Sequence, residues 1–380
     1  MSPRIAVLGA GAMGASVTKL LARHDDVEIL VLDVDGERAS AAAAAVGSTR
    51  AEARAFDAEA TGELAGALRG AGSVAACLPY RLNLTAMRAA LDAGVPYSDL
   101  GGLFHMTRRQ LELDGEFRAA GLPAVIGIGA CPGLSNVMAR LASQRLDAVD
   151  AIDIVDGSVD PSLTGFAVPY SAETILDELD LPAMVFEDGE LREVPAGSGA
   201  VDYEFPDPVG RMEAVYTLHS ELATLPTTIP GVRDVRWRLA LPPEVIGAYR
   251  ALVELGLASR QPVALASGDV VPRELLLALL RRLPAPSGPP ADVEFLDVRA
   301  TGTVDGAPAS FLGRSRFDPQ PEGIGGGPFG TSAPIAVAAR WLAGGRVPPG
   351  VHPPEDAFDP EPFLEGLAAE GVAFEVVLEV

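Results

Sequence analysis

The chain has 380 residues and a mass of 39.3 kDa, with 48% hydrophobic and 21% charged residues, which suits two packed domains and excludes global disorder. A net charge of −23 and a pI near 4.5 set it against phosphate backbones and anionic bilayers, excluding nucleic acid and a basic membrane anchor as partners. No apolar run reaches the ~20 residues of a bilayer span, no signal-peptide pattern precedes the first strand, and Cys77 and Cys131 are too few for a disulfide framework, so a cytoplasmic protein is expected.

Along the chain, the apolar run Arg4 to Leu8 enters a glycine-rich turn, then a helix carrying Val17, Leu20 and Leu21 on one face. Further strands are expected at Val27 to Leu32, Ala51 to Phe56, Ser73 to Leu78, Tyr97 to Leu100 and Ala124 to Ile128. Between them lie helical stretches at Glu37 to Val46, Glu63 to Leu68, Asn83 to Ala93 and Arg108 to Ala120. Continuous apolar strands alternating with helices define an α/β fold, a Rossmann doubly wound parallel sheet. After a helix at Val137 to Leu146 the pattern turns β-rich. Strands are expected at Ala151 to Val155, Ala214 to Leu218, Val232 to Leu241 and Asp292 to Thr303, and helices at Glu244 to Leu255 and Glu274 to Leu283. The Pro-rich stretch 283–292 and the Gly- and Pro-rich stretch 318–330 read as linkers. A helix at Ala333 to Leu342, an irregular Pro-rich tail, a helix at Phe363 to Ala369 and a strand at Ala373 to Leu378 close the chain. The organisation is thus a dinucleotide-binding domain of residues 1–131 and 332–380, interrupted by an inserted α+β substrate and dimerisation domain of residues 132–331.

Gly9, Gly11 and Gly14 form G-x-G-x-x-G between a strand and a helix. The first glycine permits the tight turn, the second the approach of a pyrophosphate, and the third close helix–strand packing. The helix start at Ala12 and Met13 offers free N–H groups to phosphate. Asp33, at the end of the second strand, suits both ribose hydroxyls and repels a 2′-phosphate, so NAD is favoured and NADP remains possible. The four histidines show no metal spacing, and no metal is expected.

In such a sheet, ligands sit at the carboxyl ends of the strands. There the chain places Leu78-Pro79-Tyr80-Arg81-Leu82-Asn83, Tyr97-Ser98-Asp99-Leu100-Gly101-Gly102 and Gly129-Ala130-Cys131-Pro132-Gly133-Leu134-Ser135-Asn136. These three runs resemble the saccharopine dehydrogenase-like family, and within it the L-lysine 6-dehydrogenases. The resemblance continues in short motifs such as Glu193-Val194-Pro195, Pro272-Arg273 and Asp305-Gly306. It implies hydride transfer between a nicotinamide and a carbon bonded to nitrogen, with Leu78, Pro79 and Gly101 beside the cofactor and the inserted domain pairing subunits into a homodimer or dimer of dimers. Two departures stand out. Cys131 replaces an acid of the saccharopine reductase turn, and Thr217-Leu218-His219-Ser220-Glu221 replaces a glycine- and threonine-rich segment of the lysine enzymes.

Tyr80, Asp99 and His105 are the candidate acid–base residues: a phenol following Leu-Pro, a carboxylate able to attract an ammonium, and an imidazole suited to base work. Each has a structural alternative as a packing tyrosine, a cap and a surface histidine. For the substrate, Cys131 reads as a pocket-lining thiol. His219 and Glu221 alternate on an expected strand and share a face, toward either the nicotinamide or solvent. Arg236 and Arg238 flank Trp237 and would hold a carboxylate bidentately, or line a solvated face. Tyr170 and Glu173 lie in a loop that the resemblance puts near the cleft. Three functions stay open: oxidative deamination of an amine or amino acid of the lysine 6-dehydrogenase type, an imine reductase joining amine and aldehyde as saccharopine and carboxynorspermidine enzymes do, and a non-catalytic NAD(H) sensor.

Overall fold

The structure is a computed structural model that describes residues 2–47, 49–57, 61–162, 168, 170–266, 268–283 and 288–380. Part of the expected linker (284–287) and Pro169 of the Tyr170 loop lie outside these residues. The first half runs β1 (Arg4–Leu8), α1 (Ala12–Ala22), β2 (Glu28–Asp33), α2 (Gly36–Ala44), β3 (Ala51–Ala55), α3 (Thr61–Leu68), β4 (Ser73–Ala76), α4 (Asn83–Ala93), β5 (Tyr97–Asp99), α5 (Leu103–Leu111), α6 (Asp114–Ala120) and β6 (Pro123–Val125). The middle runs α7 (Leu134–Arg145), β7 (Ala148–Val159), α8 (Ala172–Asp180), β8 (Ala183–Glu187), β9 (Glu190–Val194), β10 (Val201–Glu204), β11 (Arg211–Val215), α9 (Leu225–Thr228), β12 (Asp234–Ala240), α10 (Pro243–Glu254), β13 (Val263–Leu265), β14 (Gly268–Val270), α11 (Pro272–Leu280), β15 (Val293–Val304) and β16 (Ala307–Phe317). The chain closes with α12 (Gly326–Ala343), β17 (Gly350–His352), α13 (Pro354–Ala357), α14 (Pro360–Glu370) and β18 (Ala373–Glu379).

The first sheet is parallel, in the order β17-β6-β5-β4-β1-β2-β3, and its strands are buried apolar runs. The order reverses at β1, with β2 and β4 on either side, which opens the crevice where such folds take ligands. The seventh strand, β17, comes from the tail expected to be irregular. Its three residues lie between Pro348-Pro349 and Pro353-Pro354, and only pairing with β6 makes them a strand. The expected helix at 108–120 is two helices meeting near Leu113.

The second sheet is mixed and has nine strands, with β7 at its centre beside β12 (parallel) and β15 (antiparallel). The β15–β16 hairpin turns through Asp305 (φ 51°) and Gly306 (φ 77°), a geometry that suits Asp-Gly. The inward face of β16 mixes Phe311 and Phe317 with the small Ala309, Gly313 and Ser315. A Cβ at Gly313 would lie 3.1 Å from Met138 Sδ of α7. β18 pairs with β16 and therefore belongs to this sheet, not to the dinucleotide domain in which residues 332–380 were expected. α12 packs against α1 and β4, with Ser73 Oγ donating to the Ala339 carbonyl at 2.8 Å. Trp341 of α12 meets Phe358 and Phe363 edge-on. Among the described residues, no helix is long and apolar enough to cross a membrane.

Candidate active site

The glycine turn after β1 has a steric explanation. A Cβ at Gly9 (φ 88°) would lie 2.6 Å from the Cys77 carbonyl, and one at Gly14 would lie 1.7 Å from the Gly9 carbonyl. A Cβ at Gly11 would meet nothing within 4 Å. Gly11 also caps α1 without any side-chain cap, so the first-turn N–H groups around Ala12, Met13 and Gly14 are left for an anion. Asp33 is buried and braces this turn, accepting from Ala10 N–H at 2.6 Å and Asp35 N–H at 2.8 Å. Its remaining lone pairs suit ribose hydroxyls. Open space at Gly11, an uncapped helix start and a fixed carboxylate at the β2 end fit a nicotinamide dinucleotide. Leu78, half-buried, and Pro79, exposed, continue the rim beyond β4.

The turns after β5 and β6 are tied together by Asp99. Its Oδ1 accepts from the N–H groups of Gly101 (2.9 Å) and Gly127 (2.8 Å), and its Oδ2 accepts from the Tyr97 hydroxyl and the Gln110 amide. Burial raises its pKa against the pull of these donors. With no exposure and four donors in place, Asp99 holds two turns in position, which corrects its expected role as an attractor of substrate ammonium. Gly101 is glycine because a Cβ would lie 2.8 Å from Pro132 Cγ. His105 lies exposed on α5 with its ring edge-on to Phe104. Among the described residues no hydrogen bond joins it to the groups below.

Beyond β6 the chain passes through Cys131 and Pro132 into α7, and here the second sheet meets the first. Cys131 Sγ lies 3.8 Å from Oδ2 of Asp156 on β7. Ser135, in the first turn of α7, donates to Glu221 Oε1 at 2.7 Å, and Glu221 Oε2 bonds His219 Nδ1. His219 stacks on Trp237 with centroids 3.9 Å apart, and the Trp237 indole donates to Thr217 at 2.9 Å. His219 and Glu221 were expected to share a face of a strand; they meet instead across a 3-10 turn at 221–223, since β11 ends at Val215. From α8, Glu178 accepts from the Tyr170 hydroxyl at 2.5 Å. Glu294, at the start of β15, completes the group.

The electrostatics of this cluster are dominated by burial and like charge. Burial and then the charges of Glu294, Glu221 and Glu178 push Asp156 well above the carboxylate range. Glu178 rises to about 7, chiefly through burial and against the pull of His219. Glu294 rises to about 8 through burial and Asp292. Burial disfavours imidazolium at His219, but Glu221 and Glu178 outweigh it and the net pKa is raised. The Cys131 thiol is pushed far up by burial and then Asp156, so it stays protonated and is a poor nucleophile. The Tyr170 phenol is likewise raised well above its ordinary value by burial and Glu178. An enclosure of this kind disfavours anions and is relieved by a bound cation.

Tyr80, after β4, donates to Asp177 Oδ2 at 2.7 Å, and burial with Asp177 raises its phenol to about 12. It is protonated at neutral pH, and its hydrogen bond bridges the two domains. Glu173 is half-buried in the first turn of α8. Arg236 and Arg238 are a correction. On β12 they point away from Trp237, to the outer face, where Arg236 pairs with Asp153, Glu187 and Asp234, and Arg238 pairs with Asp153 and the Tyr216 hydroxyl. The expectation failed because alternation separates faces without saying which is inner.

Asp156, Glu178, Glu294, Ser135 and Trp237 were not foreseen. Asp156 stands in Ala-Ile-Asp-Ile-Val-Asp, where Asp153 and Asp156 are three apart and so face opposite sides of a strand. Asp177 and Glu178 sit between the buried Leu176 and Leu179, a polar pair inside an apolar helix face that signals a site.

A dinucleotide crevice facing a buried acidic enclosure defines an oxidoreductase that acts on nitrogen-bearing carbon. The description "Saccharopine dehydrogenase NADP binding domain" matches residues 5–125, and "Saccharopine dehydrogenase C-terminal domain" matches residues 129–372. The chain belongs to the saccharopine dehydrogenase family of NAD(P)-dependent oxidoreductases acting on CH–NH bonds. It is 25% identical to the carboxyaminopropylagmatine dehydrogenase of Synechocystis sp., over 99% of this chain and 98% of that one. It is 26% identical to the carboxynorspermidine synthase of Vibrio cholerae, over 79% and 76%. Apo saccharopine dehydrogenase (L-Glu forming) from Saccharomyces cerevisiae shares the fold over 100% of both chains, with a TM-score of 0.77 and 17% identity.

Proposed function

We propose that this chain joins a primary amine bearing a second cationic group to an aldehyde and reduces the resulting imine, using NADH or NADPH. The observation that carries this reading is the enclosure of Asp156, Glu178, Glu221 and Glu294 behind the turn at Cys131. Asp156 and Glu294 keep their protons in the free protein, so each cationic group that enters draws out a buried charge, and an extended diamine or an amine with a guanidinium draws out more of them than one ammonium. The names of the Synechocystis and Vibrio relatives describe amines of that kind substituted at nitrogen by a carboxylated chain. Oxidative deamination of a lysine-like substrate would use the same groups in reverse.

The nicotinamide supplies the reducing equivalent at the imine carbon. Gly11, the α1 N-terminus and Asp33 hold the dinucleotide. His219, fixed at Nδ1 by Glu221 and stacked on Trp237, keeps Nε2 as its second proton position and can give or take the proton at the reacting nitrogen. Tyr80 is the second candidate donor. Mixing amine–aldehyde pairs with NADH or NADPH and following cofactor oxidation tests the direction. Rapid turnover of diamines with aldehyde is expected, and turnover only as oxidation of single amines would overturn it.

Cytoplasmic location and pairing of two copies through the second sheet complete the reading. β18 is an edge strand with Val376, Leu378 and Val380 exposed, and a two-fold axis would let one copy cover the other. Light scattering giving a mass near that of one chain at micromolar concentration would overturn the pairing.

A further inference from the structure

Serine and threonine hydroxyls inside a helix usually bond back to a carbonyl of the preceding turn, and this chain does so repeatedly. Ser16 donates to the Ala12 carbonyl at 2.8 Å, Thr18 to the Gly14 carbonyl at 2.7 Å and Ser143 to the Arg140 carbonyl at 2.8 Å. Ser135 departs from that habit. It is fully buried in the first turn of α7, among the buried Leu134, Asn136 and Val137, and it sends its hydroxyl to Glu221 Oε1 at 2.7 Å. Its backbone N–H donates to the Ala130 carbonyl at 3.0 Å, so the side chain starts from a fixed point. A buried hydroxyl is retained at such a position only where its partner needs it.

Glu221 is that partner. It is fully buried, and among the described residues no lysine or arginine pairs with it. Its two oxygens are divided, Oε1 to Ser135 and Oε2 to His219 Nδ1. A carboxylate turns freely about its last bond unless both oxygens are held, so the Ser135 hydroxyl sets where Oε2 points. The bond at Nδ1 in turn sets which nitrogen of a neutral imidazole carries the proton. His219 otherwise meets the Trp237 ring from β12 and the charge of Glu178 from α8. The same turn is held a second time by Thr107 of α5, whose hydroxyl donates to Ser220 Oγ at 3.1 Å. That bond reaches the residue between His219 and Glu221 and touches neither of them. We propose that Ser135 is a positioning residue of the reaction: by holding Glu221 Oε1 it keeps Oε2 on His219 Nδ1, so that His219 presents Nε2 to the reacting nitrogen in one tautomer and one orientation. This rests on the reading of His219 as proton carrier and adds the residue that aims it.

Side-chain nitrogen NMR on the full chain reads this without turnover, with His219 picked out among the four histidines by the loss of its signals in His219→Gln. In the native protein neutral His219 should carry its proton on Nδ1, and its titration should lie above the ordinary histidine value. Ser135→Ala frees Glu221 Oε2 to turn away from Nδ1. The His219 titration should then fall by about one unit, and the neutral ring should become a mixture of tautomers. In steady-state assays kcat should fall about tenfold or more with KM within about threefold, and one limb of the pH–rate profile should move down with the NMR titration. Thr107→Val removes a buried hydroxyl bond from the same turn and reports the loss of structure alone. It should lower the melting temperature about as much as Ser135→Ala and leave the His219 titration and tautomer in place. An unmoved His219 in Ser135→Ala, or an equal shift in Thr107→Val, would overturn the proposal. A shifted titration beside an unmoved limb would overturn the reading of His219 as proton carrier, and the catalytic role of Ser135 with it.

Discussion

Cys131 Sγ lies 3.8 Å from Asp156 Oδ2, and this contact joins the last turn of the parallel sheet to the central strand of the mixed one. Asp156 is held above its ordinary pKa by burial and three neighbouring acids. Asp156→Asn fixes this buried position as uncharged at every pH in the free protein and removes a counter-charge from the bound amine. The variant should melt higher than the native chain while its KM for the amine rises about tenfold or more. Calorimetric melting with steady-state kinetics checks both. A variant that loses stability and keeps its KM would remove Asp156 from the amine site.

The raised carboxylates make a signed prediction about pH. Glu178 titrates at about 7 and Glu294 at about 8 in the folded chain, against an ordinary 4.5. Between those limits the native state keeps protons that the unfolded state has lost. Their stabilisation is therefore whole below the ordinary value and is lost as pH rises through 7 and 8. Glu178 accounts for up to about 3 kcal/mol of it. Binding of a cationic amine runs the opposite way and tightens over the same range. Melting temperature against pH should fall less steeply in Glu178→Gln, and an equal slope would show that Glu178 titrates normally.

At the cofactor end, Gly11→Val places a branched side chain in the open space beside α1 and should weaken dinucleotide binding by about 100-fold or more without unfolding the domain, since nothing lies within 4 Å. Asp33→Ala removes the ribose acceptor and the charge opposing a 2′-phosphate. It should narrow the preference for NAD over NADP by about tenfold, with some loss of stability at the Ala10 turn. Fluorescence titration with both cofactors reads each variant, and an unchanged preference would place cofactor choice elsewhere.

The dinucleotide half was legible because its signals are local. Apolar strands, capped helices and Gly9-x-Gly11-x-x-Gly14 each sit within a few residues, and α4 was placed at Asn83–Ala93 to the residue. The tail was harder because β17 is a strand only by virtue of its pairing with β6, and β18, expected as a strand, joins the other sheet through β16. In the site, the spacing of His219 and Glu221 suggested one face of a strand, and a 3-10 turn brings them together instead. Asp156, Glu178 and Glu294 come from three separate elements, and only the register of β7 with β15 and the docking of α8 bring them together. Arg236 and Arg238 show the converse, a correct face relation whose inner and outer sides depend on where α7 packs.

Asp99 separates a scaffold from a catalyst most sharply. Replacement by Ala would strand the N–H groups of Gly101 and Gly127, the Tyr97 hydroxyl and the Gln110 amide inside the sheet, at a cost of about 3 kcal/mol or more. Asp99→Asn keeps an acceptor for some of those donors and should recover part of the loss. If Asp99 only positions the turns, activity in both variants should follow the folded fraction and keep the native pH profile. Were it a proton carrier, Asp99→Asn would fold well and lose one limb of that profile. Melting curves set beside pH–rate profiles for the two variants distinguish the cases, and His219→Gln provides the contrast, with a native-like melt and a displaced or missing limb.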